Sequence, residues 1–154
     1  MPGIPSPTLP TAIPPAIPAI PSHWTFPAEP LSVRRARQAV AEALPGACRP
    51  QLRDDLRLLA SELVTNSVRY GPQPTEDHLI EVVLWRGDGH YWLAVSDAGS
   101  TLPIITRSAG PGARGGRGGR GLLLVDALAA AWAVIPRPAR GKTVVAGVRL
   151  HDRD

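Results

Sequence analysis

The segment from Pro50 to Tyr70 constrains this chain most. Leu52, Leu56, Leu59, Leu63 and Tyr70 recur at spacings of three, four and seven residues, so at 3.6 residues per turn they line one stripe of a helix. Gly71-Pro72 closes the pattern, because glycine accepts a left-handed cap and proline cannot continue the helix.

Other periodicities place the remaining elements. In PLSVRRARQAVAEAL, Val33, Ala36, Val40 and Leu44 recur at three and four residues between Pro30 and Pro45-Gly46, which predicts a first helix. HLIEVVLW and HYWLAVSD read as two strands joined across Arg86-Gly87-Asp88-Gly89, whose Asp-Gly pair is a hairpin signal. The Arg-Gly-Asp tripeptide is accordingly a turn and not an adhesion motif. Beyond a long glycine-rich loop, Leu122 to Ala131 reads as a helix, and WAVIP and TVVAGVRLH as strands around Arg140-Gly141. The order helix, helix, hairpin, loop, helix, hairpin predicts an α/β (α+β) two-layer sandwich, a mixed sheet with helices on one face.

From Met1 to Ser22 proline alternates with small and aliphatic residues and shows neither period, so residues 1–22 read as an extended, disordered arm and residues 23–154 as one domain. The lone cysteine, Cys48, excludes an internal disulfide, and no cysteine-histidine cluster has zinc spacing. No apolar run spans a bilayer and no signal-peptide pattern opens the chain, so the expected location is the cytoplasm, without membrane contact. The net charge of +4 is carried almost wholly by arginine, since Lys142 is the single lysine, and it does not choose among nucleotide, nucleic acid and acidic protein.

Three groups of residues could carry chemistry. Glu62, Asn66 and Arg69 form a polar line beside the leucine stripe; alone, such a line is more often an exposed helix face. Asp97-Ala98-Gly99 delivers a carboxylate at a strand end with a glycine that lets backbone approach a ligand, although Asp-x-Gly turns are common. SAGPGARGGRGGRGLLLV ends a flexible arginine-bearing loop where a helix begins, which favours phosphate through free N–H groups and the helix dipole; read as an RGG segment, it would bind RNA weakly. Two patterns fail. The G-x-G-x-x-G matches from Gly110 and from Gly116 follow no strand of a βαβ unit, and Gly141-Lys142-Thr143 lacks the first P-loop glycine and leads into a strand.

Together, ELVTNSVRYG on a helix, DAG after a strand, GRGL opening a helix and GKT entering the last strand resemble, in order and spacing, the motifs of the GHKL superfamily with its Bergerat ATP-binding fold. The likeness covers roughly Trp24 to Leu150 and is greatest to the stand-alone bacterial anti-sigma-factor serine/threonine kinases, apart from Trp132-Ala133, where relatives commonly have Trp-Gly, and additional Gly and Arg in the lid. The resemblance implies a catalytic Glu62 that orients or deprotonates a hydroxyl, an Asn66 that ligates Mg²⁺, and an Asp97 that accepts a hydrogen bond from the adenine amine. It also implies that Gly99 lets the base approach, that Gly119 and Gly121 open the backbone to the phosphates with Leu122 in the same ATP-binding segment, that Arg69 and Arg120 are phosphate or structural arginines, and that Thr143 supports the adenine site. The implied function is an ATP- and Mg²⁺-dependent protein kinase that holds a sigma factor or similar client, phosphorylates a small anti-anti-sigma-type antagonist, and can form homodimers. The alternatives are a non-catalytic ATP-dependent binding module and, less in keeping with the motifs, a nucleic-acid-binding protein using the Arg/Gly loop.

Overall fold

The computed structural model describes residues 21–70, 79–99, 124–138 and 141–151. Two helices, α1 (Leu31–Ala43) and α2 (Pro50–Tyr70), pack on one face of a five-stranded sheet of β1 (Ser22–Pro27), β2 (Leu79–Gly87), β3 (His90–Asp97), β4 (Ala131–Pro136) and β5 (Lys142–Arg149). The strand order is β1-β2-β3-β5-β4, which puts β5 between β3 and β4. This is the expected two-layer α/β architecture. Each of the four neighbouring pairs is antiparallel, where a mixed sheet was expected: short turns join β2 to β3 and β4 to β5, β1 returns to β2 through the two helices, and β3 meets β5 through a longer connection.

The leucine stripe does what its spacing predicts. Leu52, Leu56, Leu59 and Leu63 are at most 2% exposed and pack with Val40, Ile80, Val82, Leu93, Val95, Val144 and Ala146 in one core. Each such leucine contributes roughly 1.5–3 kcal/mol through burial. Leu44, extended ahead of Pro45, stops α1, and the Arg53 guanidinium adds a donor to the Ala41 carbonyl of the last turn and to the Pro45 carbonyl beyond it. Asp88 and Gly89, both with positive φ, form the two-residue turn of the β2–β3 hairpin. A smaller cluster of Trp85, Trp92, Ala94 and Val145 lies on the outward face of the sheet; there the Trp92 ring covers Gly147, where an added Cβ would stand 2.6 Å from the ring.

Two readings of the sequence need correction. The strand β1 was not anticipated: its Trp24 and Phe26 face the core, and its short run is flanked by prolines that masked the alternation. The helix expected over Leu122–Ala131 is helical over 124–128 among the described residues, and Ala131 already belongs to β4. The Ala129 N–H closes the last turn on the Val125 carbonyl, whereas the Ala130 N–H has turned to the Gly147 carbonyl of β5; strand pairing outweighs the helix preference of alanine here. Of the arm expected over residues 1–22, residues 1–20 lie outside the described residues, as does Gly71-Pro72, and Ser22 already belongs to β1.

Candidate functional site

The sheet alternates its side chains, so β3 sends Leu93, Val95 and Asp97 toward the helices and β5 sends Lys142, Val144, Ala146 and Val148 the same way. Asp97 and Lys142 are register partners at the adjoining ends of these strands. Two charged residues therefore occupy inward positions of otherwise apolar rows, and both side chains are fully buried.

The Asp97 carboxylate is held from three directions. Ser67 Oγ of α2 donates to Oδ2 at 2.6 Å, Lys142 Nζ donates to the same oxygen at 2.7 Å, and the Gly99 N–H donates to Oδ1 at 2.9 Å. An ionised carboxylate has about four lone-pair sites. Among the described residues, no donor takes the remaining site on Oδ1. The backbone around it is packed as tightly. Gly141 adopts φ +95°, a Cβ there would lie 2.0 Å from the Asp97 carbonyl oxygen, and Arg137 Nη1 donates to that same carbonyl at 3.2 Å.

Next to Ser67 on α2, Asn66 is 4% exposed, and among the described residues neither its Oδ1 nor its Nδ2 has a hydrogen-bond partner. A buried carboxamide left in this state costs roughly 1–3 kcal/mol. An amide oxygen is a ligand of hard cations, so the orphaned group fits a Mg²⁺ ligand. Glu62, four residues before it, is half-buried; loss of water raises its carboxyl pKa above the ordinary value, and the charge of Arg69 pulls it partly back. A carboxylate made more basic in this way is suited to accept a proton.

Among the residues singled out from sequence, Asp97 and Gly99 come together directly, and Asn66 and Glu62 lie on the helix whose Ser67 touches Asp97. Arg69 is exposed at the end of α2. The side chain of Thr143 does not join this group: its hydroxyl pairs with Ser96 Oγ at 2.7 Å on the outward face, and the neighbouring Lys142 reaches Asp97 instead. Gly119, Arg120, Gly121 and Leu122 lie outside the described residues. Sequence reasoning passed over Ser67, Arg137, Gly141 and Lys142. Two of them left a signal, since Ser67 interrupts the leucine stripe four residues after Leu63, and Lys142 falls in phase with the buried valines of β5.

A family model described as a histidine kinase-like ATPase domain matches residues 26–147. Among solved structures, the chain is similar to the histidine kinase domain from the blue-light activated histidine kinase of Erythrobacter litoralis EL346, with a TM-score of 0.50 and 20% identity. That match covers 81% of this chain and 62% of the other, so the chain spans less than two thirds of that domain. A comparison with curated proteins found no significant match.

Proposed function

Because the chain belongs to the histidine kinase-like ATPase domain family, we propose that it binds ATP with Mg²⁺ at the site built around Asp97 and transfers the γ-phosphoryl group to a serine or threonine of a small partner protein. The observation that carries this reading is the buried Asp97 carboxylate. It is fixed by Ser67, Lys142 and the Gly99 N–H with one acceptor position left, as required to receive an exocyclic amine.

The chain's residues divide the work. Asp97 accepts from the adenine amine, and Gly99 offers no side chain where the base must approach. Asn66 would hold Mg²⁺, which supplies charge neutralisation on the phosphates. Glu62 takes the proton of the attacking hydroxyl as its oxygen bonds to the γ-phosphorus and the bond to the ADP oxygen breaks; burial has raised its basicity for this step. Arg69 and the glycine-rich segment with Gly119, Arg120, Gly121 and Leu122 face the phosphates in this reading, as the sequence motif suggests.

The biological reading is regulation of the anti-sigma type in the cytoplasm: the kinase holds a sigma factor or similar client and releases it according to the phosphorylation state of an antagonist, with homodimers as the working unit. Support comes from the motif resemblance and from the family. Among the described residues no helix is long and apolar enough to cross a membrane.

Isothermal titration with ATP, with and without Mg²⁺, tests the site, and incubation of ATP with the chain and proteins recovered by pull-down tests the transfer. Mg²⁺-dependent ATP binding followed by phosphoserine or phosphothreonine on a partner is the expected result. Absence of ATP binding would refute the site; binding without transfer to any partner that associates would leave an ATP-dependent binding module.

A further inference from the structure

We infer that Lys142, buried against Asp97, is the positioning residue that fixes the site's preference for a purine bearing an amine over one bearing a carbonyl. The inference rests on the nucleotide-binding reading of this site. It concerns a side chain that the sequence motifs leave without a role.

The bland explanation of a buried ion pair is that it stabilises the fold. It is a weak one here, because taking two charges out of water costs about what their attraction returns, and well-packed apolar residues usually serve as well. The inward positions that follow Lys142 on β5 are Val144, Ala146 and Val148, so an apolar residue would continue the row. What the lysine adds is chemical. Its Nζ lies 2.7 Å from Asp97 Oδ2, with neither side chain exposed, and among the described residues it is the cationic donor to that carboxylate. Ser67 and the Gly99 N–H are neutral. Arg137, the other charged group packed here, reaches the Asp97 main-chain carbonyl and stands 3.9 Å from Glu81.

The consequence follows from what each form of Asp97 can do. Ionised, it only accepts, so its open position suits an amine and repels a carbonyl oxygen. Without Lys142 the buried charge would have, among the described residues, neutral donors alone, and such a group is neutralised by a proton. A protonated Asp97 both donates and accepts, and it meets a carbonyl as readily as an amine. Lys142 thereby holds the acceptor-only form.

The test compares ATP with inosine triphosphate, which carries a carbonyl where ATP carries the amine, on wild type and Lys142→Met. Wild type should prefer ATP by on the order of 10²-fold. In Lys142→Met the ratio should fall to within a few-fold, mainly through weaker ATP binding. A purely structural role would weaken both nucleotides together and leave the ratio unchanged, which would overturn the proposal. If wild type binds neither nucleotide, the site reading itself fails and the proposal with it; if it binds both equally, nucleotide binding stands, but the reading of the amine by Asp97 and the role of Lys142 both fail.

Since Lys142 is the single lysine of the chain, lysine labelled at Cε and Nζ supplies a second readout on the unaltered protein should the variant not fold. Its one side-chain resonance should shift with ATP and stay in place with inorganic triphosphate. An immobile resonance in saturating ATP would overturn the assignment.

Discussion

Replacing Glu62 by glutamine separates the chemistry of the site from its stability, and the two effects have opposite signs. Burial raises the Glu62 carboxyl pKa above its ordinary value of 4.5, with Arg69 acting in the other direction. A carboxyl group whose folded pKa exceeds its unfolded one favours the protonated form on folding. It therefore costs nothing while protonated in both states, near pH 4 and below, and it opposes folding increasingly as pH rises through the ordinary value and then the folded one. Glutamine has no charge to desolvate. Glu62→Gln should melt with wild type at low pH and above it at pH 7, the gap opening across the window just above 4.5. Transfer should change the other way. Loss of a general base lowers the rate by on the order of 10²-fold or more, about 2.7 kcal/mol at the barrier. ATP affinity should stay within a few-fold, because Glu62 is not among the donors that fix Asp97. Differential scanning calorimetry across pH, paired with single-turnover transfer to the partner, measures both. A Glu62→Gln protein that is less stable than wild type at pH 7, or that transfers phosphate as fast, would refute the reasoning.

Asn66→Ala should abolish the Mg²⁺ dependence of ATP binding without lowering the melting temperature of the free protein, since it removes a buried amide that has no partner; calorimetry and thermal melts decide. Asp97→Ala strands the Lys142 ammonium in the interior and should cost roughly 3–5 kcal/mol in urea unfolding. Gly141→Ala should be destabilised beyond the roughly 1–2 kcal/mol of a left-handed alanine, because its Cβ would also meet the Asp97 and Ala98 backbone; an unchanged unfolding midpoint would contradict this packing. Arg69→Ala removes the charge that lowers the Glu62 pKa, so the acid limb of the pH–transfer profile should move to higher pH.

Local periodicity carried most of this fold. α2 spans Pro50–Tyr70 and the hairpin turns at Asp88-Gly89, as spacing and turn chemistry predict, because each is decided by residues a few positions apart. β1 was hidden because a six-residue strand that follows one proline and ends on another gives alternation too little length, and the helix after the glycine-rich loop ends early because pairing with β5 decides its last residues. The site divides along the same line. Asp97, Gly99, Asn66 and Glu62 stand in recognisable motifs, whereas the contact of Lys142 with Asp97 joins residues 45 positions apart and depends on the register of β3 with β5. No local pattern encodes that register; only the charged residue in an apolar row hints at it.

The place of β5 between β3 and β4 has a consequence for how the protein is made. A ribosome adding about 5–20 residues per second needs roughly 2–9 s to travel from Asp97 to Lys142. Throughout that interval β3 presents an open edge, and β4, whose sheet neighbour is β5, has nothing to pair with. The helical pair and the β1–β2–β3 part of the sheet can form early, but the Asp97–Lys142 contact cannot. A nascent chain that ends before Lys142 has Asp97 without that ammonium donor, so on the proposed role of Lys142 a preference for ATP over inosine triphosphate in newly made protein reports that β5 has taken its place beside β3.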